Sequence, residues 1–200
     1  MTESEWLAST DPQRMLEFLR DRASDRKLRL FVCACCRRIW RLLTYDGSTR
    51  GVEVAELYAE GEVTAKEMAR RVSPELLSTH KLAGPGRDAA YAAALSSVAY
   101  STPDNVTAAH AHLLRDIFVN PFRLVSLDPA WRTSTVTALA TAAYEERQPP
   151  AGHLDPDRLA VLADALEDAG CDNPDILSHL RGPGPHVRGC WVVDWILKKE

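Results

Sequence analysis

Phe31-Val-Cys-Ala-Cys-Cys-Arg-Arg-Ile-Trp40 sits inside a largely apolar run that begins at Leu28 and continues to Leu43. Between Leu28 and Leu43 the only polar residues are Arg29, Arg37, Arg38 and Arg41. The run is too long for an ordinary strand, and from Leu30 to Cys36 it is apolar on every side. A helix of that kind is buried on every side. The stretch therefore predicts a buried helix over Asp25 to Leu43, around which the remaining elements must pack.

Moving outward, the punctuation is that of helices. Asp11-Pro12, Ser73-Pro74, Thr102-Pro103, Asp128-Pro129, Asp155-Pro156 and Asn173-Pro174 each pair a capping side chain with proline. The cap accepts a hydrogen bond from an orphan N–H of the first turn, and proline there has no N–H to leave unsatisfied. Thr64-Ala-Lys-Glu67 is a capping box, and Gly61 and Gly170 stand where helices terminate. Leu124-Val-Ser-Leu127 is the only short extended candidate. The predicted fold is all-α, a compact bundle of about eight to ten short helices with little or no strand. Beyond the cysteine helix, the elements expected are Pro12 to Asp21, Thr49 to Glu60, Ala65 to Arg71, Pro74 to Lys81, Asp88 to Tyr100 and Pro103 to Phe118. Ser134 to Arg147, Pro156 to Ala169, Pro174 to Arg181 and His186 to Lys198 follow. The reading is one helical domain over 1–200. Gln148-Pro-Pro-Ala-Gly-His153 is the candidate boundary between a main body, 1–147, and a docked C-terminal three-helix segment, 154–200.

Composition narrows the function classes. Hydrophobic residues at 46% suit a soluble globular chain, and a net charge of -4 gives no global attraction to nucleic acid or anionic lipid. No apolar run reaches the ~20 residues that span a bilayer. Met1-Thr-Glu-Ser-Glu-Trp6 lacks the pattern of a signal peptide. Five cysteines, three of them within four residues, make a poor disulfide framework, so free thiols and a cytoplasmic setting are expected. No membrane contact and no cofactor are expected.

Three sets of residues carry possible chemistry. Cys33, Cys36 and Trp40 share a helix face, with Cys35 turned elsewhere. Zinc needs four converging ligands, and Cys33 and Cys36 supply two with no second Cys-x-x-Cys to complete them. Packing is the simpler reading, because buried cysteine behaves as a small hydrophobe. Arg26 and Lys27, with Arg37, Arg38 and Arg41 three turns later, make a basic face that could bind phosphate or nucleic acid. Pairing with acids of a neighbouring helix competes, and the acidic balance favours it.

The third set lies in Arg181-Gly-Pro-Gly-Pro-His-Val-Arg-Gly-Cys-Trp-Val-Val-Asp194. On a helix from His186 onward, His186, Cys190 and Asp194 would stack at i, i+4 and i+8. Cys190 near a helix start would have a lowered thiol pKa, with His186 as base and Asp194 beyond, a cysteine-enzyme arrangement. Stacked groups rarely address one substrate atom, and His186 and Arg188 serve equally well as binding or loop-anchoring residues. A metal variant would use Cys171, His179, His186 and Cys190, in an order that matches no common zinc module. His112 and Asp116, at i and i+4, read as a surface pair.

Several blocks together resemble a large paralogous family of planctomycete-type bacterial proteins. They are Glu5-Trp-Leu7, Met15-Leu-Glu-Phe-Leu-Arg20, Ser24-Asp-Arg-Lys-Leu-Arg-Leu-Phe31 and Cys33-Ala-Cys-Cys-Arg-Arg-Ile-Trp40. Leu114-Arg-Asp-Ile-Phe118, Asn120-Pro-Phe-Arg123, Asp128-Pro-Ala-Trp131, Leu162-Ala-Asp-Ala-Leu-Glu-Asp-Ala-Gly-Cys171 and Gly182-Pro-Gly-Pro-His-Val-Arg-Gly-Cys-Trp-Val-Val-Asp194 complete them. The resemblance covers both ends and the middle motif, implies one intact domain and brings no assigned activity. The functional expectation is a non-enzymatic helical interaction or scaffold module with a protein partner of unknown identity. A Cys190/His186 enzyme and a nucleic-acid binder are the alternatives.

Overall fold

The computed structural model describes residues 1–43, 46–71, 104–123 and 125–199. Among them are ten α-helices and no strand. The expected helices Pro74 to Lys81 and Asp88 to Tyr100, the caps Ser73-Pro74 and Thr102-Pro103, and Leu124 of the extended candidate lie outside the described residues.

The helices are α1 (Glu3–Ala8), α2 (Pro12–Leu19), α3 (Asp25–Arg38), α4 (Asp46–Ala59), α5 (Ala65–Arg71), α6 (Asp104–Ile117), α7 (Ser134–Glu145), α8 (Pro156–Asp168), α9 (Pro174–Leu180) and α10 (Trp191–Leu197). Three of the cap-plus-proline signals start α-helices as predicted, while Asp128-Pro129 opens only a 3₁₀ turn over Pro129–Trp131. Asp11, Asp155 and Asn173 each accept hydrogen bonds from backbone N–H groups two and three residues on. Helix α1 starts on Thr2, whose hydroxyl accepts from the Glu5 N–H at 3.2 Å while the Glu5 carboxylate accepts from the Thr2 N–H at 2.7 Å. Thr2 and Glu5 thus form a capping box like that of Thr64 and Glu67, in which the Glu67 N–H donates to the Thr64 hydroxyl at 3.2 Å.

The chain divides into two compact units, Met1–Leu114 and Arg115–Glu200. The division falls well before the Gln148–His153 linker. Its physical reason lies in α7, whose buried Val136, Ala140, Ala143 and Tyr144 share one core with residues beyond that linker.

In the first unit, α3 is the buried element its composition demands. Leu28 to Cys36 is buried throughout, including Arg29, whose Nε lies 3.0 Å from Asp25 and whose guanidinium stacks on Tyr58. Helix α3 packs on α4. It ends at Arg38, not at Leu43, and a 3₁₀ turn over Trp40–Leu42 follows. Ile39 and Leu42 are exposed, so no buried face remains to carry the helix further.

In the second unit, α7, α8, α9 and α10 pack around Leu159, Leu162, Leu166, Ile176, Leu180, Val192, Val193 and Ile196. The Gln148–His153 turn closes on itself through the Gln148 N–H, which donates to the His153 carbonyl at 2.8 Å. It reaches the segment between α9 and α10 through the Leu154 N–H, which donates to the His186 carbonyl at 2.8 Å. Residues 181–190 therefore form a loop, not the first turns of a helix. Gly184 and Gly189 both take positive φ, which a continuing helix does not tolerate.

Candidate metal centre

Four side chains of the second unit meet in its interior. Asp116 comes from the last turn of α6, His179 from the last turn of α9, His186 from the loop, and Cys190 from the N-cap position of α10. One potential ligand atom from each lies within 4.8 Å of all the others. Asp116 Oδ1 is 2.6 Å from His186 Nδ1 and 3.2 Å from His179 Nε2. His179 Nε2 is also 3.2 Å from Cys190 Sγ. Asp116 Oδ2 accepts the Val187 N–H at 2.8 Å, which fixes the carboxylate and the loop together.

The surroundings bury these donors. Cys190 is fully buried, Asp116 and His186 nearly so, and His179 is 17% exposed at its side chain. The two imidazoles meet edge to face at 4.8 Å, and Trp191 covers His179 at 5.1 Å. Gly184 leaves room for His186: a Cβ there would stand 3.0 Å from the His186 nitrogen and 3.4 Å from its ring.

The electrostatics follow from burial and mutual contact. Burial raises the Asp116 pKa, but hydrogen bonds from His179 and His186 outweigh it and hold the carboxyl at about 2. Burial lowers the His186 pKa, yet contact with Asp116 lifts it above its ordinary value. The Cys190 thiol is pushed well up, first by burial and then by Asp116, against the N–H groups of Val193 and Val192. The expected depression by a helix N-terminus is thus present and overridden. A fully buried thiol whose pKa is raised is a poor nucleophile.

A tetrahedral zinc site has bond lengths of about 2.0–2.3 Å and so ligand–ligand edges of about 3.3–3.6 Å. The two 3.2 Å edges at His179 Nε2 already lie close to that range, and the 2.6 Å His186–Asp116 edge needs to widen. Ligation through His186 Nδ1 would put the ring hydrogen on Nε2, a buried atom without a partner in hydrogen-bond geometry, near the Gly182 carbonyl.

Three of the four residues of the metal variant, His179, His186 and Cys190, are thus brought together. Cys171 is buried apart from them, and Asp116 takes the fourth place. His186 and Cys190 converge through the loop, not through a helix face, and Asp194 is buried on α10 outside the group. Asp116 is no surface partner of His112, which is exposed while Asp116 is buried. Its burial was readable from spacing, since Leu113, Asp116 and Ile117 occupy one helix face.

Most of the remaining candidates pack or pair within the structure. Cys33, Cys35 and Cys36 are buried and in no disulfide, and Cys33 faces the Val52 carbonyl at 3.9 Å. Burial pushes Cys36 up to about 11. Among the described residues no metal-capable group forms around these three. Arg37 pairs with Glu56 through two nitrogens and stacks on Trp40, and Arg26 pairs with Glu60 at 2.9 Å. Lys27 is half-buried, while Arg38 and Arg41 are exposed. Arg188 lies over the Tyr144 ring at 5.0 Å, near Glu145. No helix among the described residues is long and apolar enough to cross a membrane. No protein-family model, curated protein or solved structure matches the chain.

Proposed function

We propose that the chain is a metal-binding helical module whose second unit holds one zinc ion through Asp116 Oδ1, His179 Nε2, His186 Nδ1 and Cys190 Sγ. The observation that supports this reading is the convergence of four ligand residues of three types inside 4.8 Å, in a buried site. A thiolate, two imidazoles and one carboxylate form the mixed sulfur, nitrogen and oxygen set that zinc accepts. All four positions of a tetrahedron are filled by protein atoms. A closed site of this kind is structural and leaves no position for a substrate. The chain then acts as a non-enzymatic module, with the ion as part of its frame, and not as a Cys190/His186 enzyme.

Cobalt(II) tests this directly. Added to the chelated full chain, it should bind once, give tetrahedral visible bands and give a sulfur-to-metal band in the near ultraviolet. Cys190→Ser should remove the sulfur band while Cys33→Ser and Cys171→Ser keep it. A chain that keeps neither zinc nor cobalt through dialysis, or a sulfur band that survives Cys190→Ser, overturns the proposal.

A further inference from the structure

We infer that the ion acts as a clamp on the loop Arg181–Cys190, so that metal occupancy sets the order of this loop while the helical core of the unit persists without it. The inference rests on the metal-binding reading above and concerns what the ion does.

Two of the four donors, His186 and Cys190, lie in this one ten-residue segment, and the other two lie on helices at its sides. Its first residues are tied to α9 and α8: the Arg181 and Gly182 N–H groups donate to the Leu177 and His179 carbonyls, both at 3.1 Å, and the Arg181 guanidinium pairs with Asp164 and Glu167. Beyond Gly182 the anchors include the His186 carbonyl, which accepts from the Leu154 N–H, and the Val187 N–H, which donates to Asp116 Oδ2. A short internal turn adds the Cys190 N–H, which donates to the Val187 carbonyl at 2.9 Å. One of these anchors is itself a group of the metal site. The segment contains three glycines and two prolines and buries only one purely aliphatic side chain, that of Val187. Its order therefore depends on polar groups taken out of water, whose hydration is replaced mainly by one another.

The helices differ. Helices α7, α8, α9 and α10 share a continuous apolar core in which Leu159, Leu162, Ala163, Leu166, Ile176 and Ile196 are fully buried. Cys190 belongs to this core, while Asp116, His179 and His186 lie outside it. Loss of the ion removes the ligand bonds that join the loop to α6 and α9, keeps the single Val187 N–H to Asp116 bond, and leaves that core intact. Binding to the ordered state alone stabilises it by the logarithm of metal concentration over its dissociation constant. Loop opening is then a graded response to free zinc.

The loop carries its own probes. Arg181 and Arg188 are each followed by glycine, so trypsin can cut within the segment once it opens. Trp191 lies against His179 and reports on the site by its fluorescence. The full chain would be digested after chelation and again with saturating zinc, with cleavage after Arg181 and Arg188 followed by mass. Zinc should slow those two cuts at least tenfold, leave helical circular dichroism within about 10%, and change Trp191 emission. Equal cutting rates in zinc-loaded and chelated chain, with one zinc demonstrably bound, would overturn the clamp and leave the metal reading standing. Absence of bound zinc would overturn both. Collapse of the helical signal on chelation would also overturn the inference, because it would make the ion a condition of the whole unit's fold.

Discussion

His110 carries a charge cost that single-residue chemistry makes measurable. It is buried edge to face against Phe31, and burial, then the Arg38 charge, lower its pKa from 6.5 to about 4. The folded chain holds it neutral at a pH where the unfolded chain takes up a proton. Stability from this group is complete above 6.5 and is lost as pH falls from there towards 4. One pKa unit is worth about 1.4 kcal/mol, so the loss is on the order of 3 kcal/mol. Urea unfolding of wild type and His110→Gln should diverge between pH 7 and pH 4.5, with the wild type the more acid-sensitive. A difference that stays constant with pH would refute this. Gly184 is the second sharp residue. Its φ is +68°, and an added Cβ would meet the His186 backbone nitrogen at 3.0 Å. Gly184→Ala should cost about 1–3 kcal/mol in thermal or chemical unfolding of the second unit and weaken metal binding by displacing His186. Asp116 shows what residue-level reading can still miss. Its helix position implied burial, yet its partners come from residues 63 and 70 positions further along the chain, a separation no local pattern encodes.

At the level of elements, the basic face of α3 is turned mainly into the structure. Arg37 and Glu56 are both largely buried and make a two-pronged ion pair between α3 and α4. Removing one partner strands the other charge in a place without water. Glu56→Gln should cost about 3–5 kcal/mol, whereas the double change Arg37→Met with Glu56→Leu should be close to neutral. Urea midpoints of the two single variants and the double variant decide this, and additive losses would contradict it. Helix starts are simpler. Asp155 accepts from the Asp157 and Arg158 N–H groups at 2.9 and 3.2 Å, so Asp155→Ala should cost about 1 kcal/mol in denaturant unfolding. These caps were legible because a cap and its proline are neighbours in sequence. The end of α3 was not, because Ile39 and Leu42 continue the apolar run in sequence yet are exposed in the fold.

At the scale of the whole molecule, two compact units each carry their own buried residues. The metal-site residues from Asp116 onward all belong to the second. Calorimetry of the full chain should therefore show chelation lowering the transition of 115–200, while that of 1–114 stays within about 1 °C. A shift of equal size in both transitions would show that the ion's influence extends past the unit that binds it.

The helical class, the capped starts, the burial of Cys33, Cys35 and Cys36 and the importance of the Gly-Pro segment before Cys190 all follow from the chain itself. They depend on periodicity, on side chains that bond to adjacent backbone, and on composition within one or two turns. The boundary between units, the loop at 181–190 and the meeting of Asp116 with His179, His186 and Cys190 belong to the tertiary structure. Each requires groups far apart in sequence to approach within a few ångströms, and the packing of α7 to α10 decides which of them do.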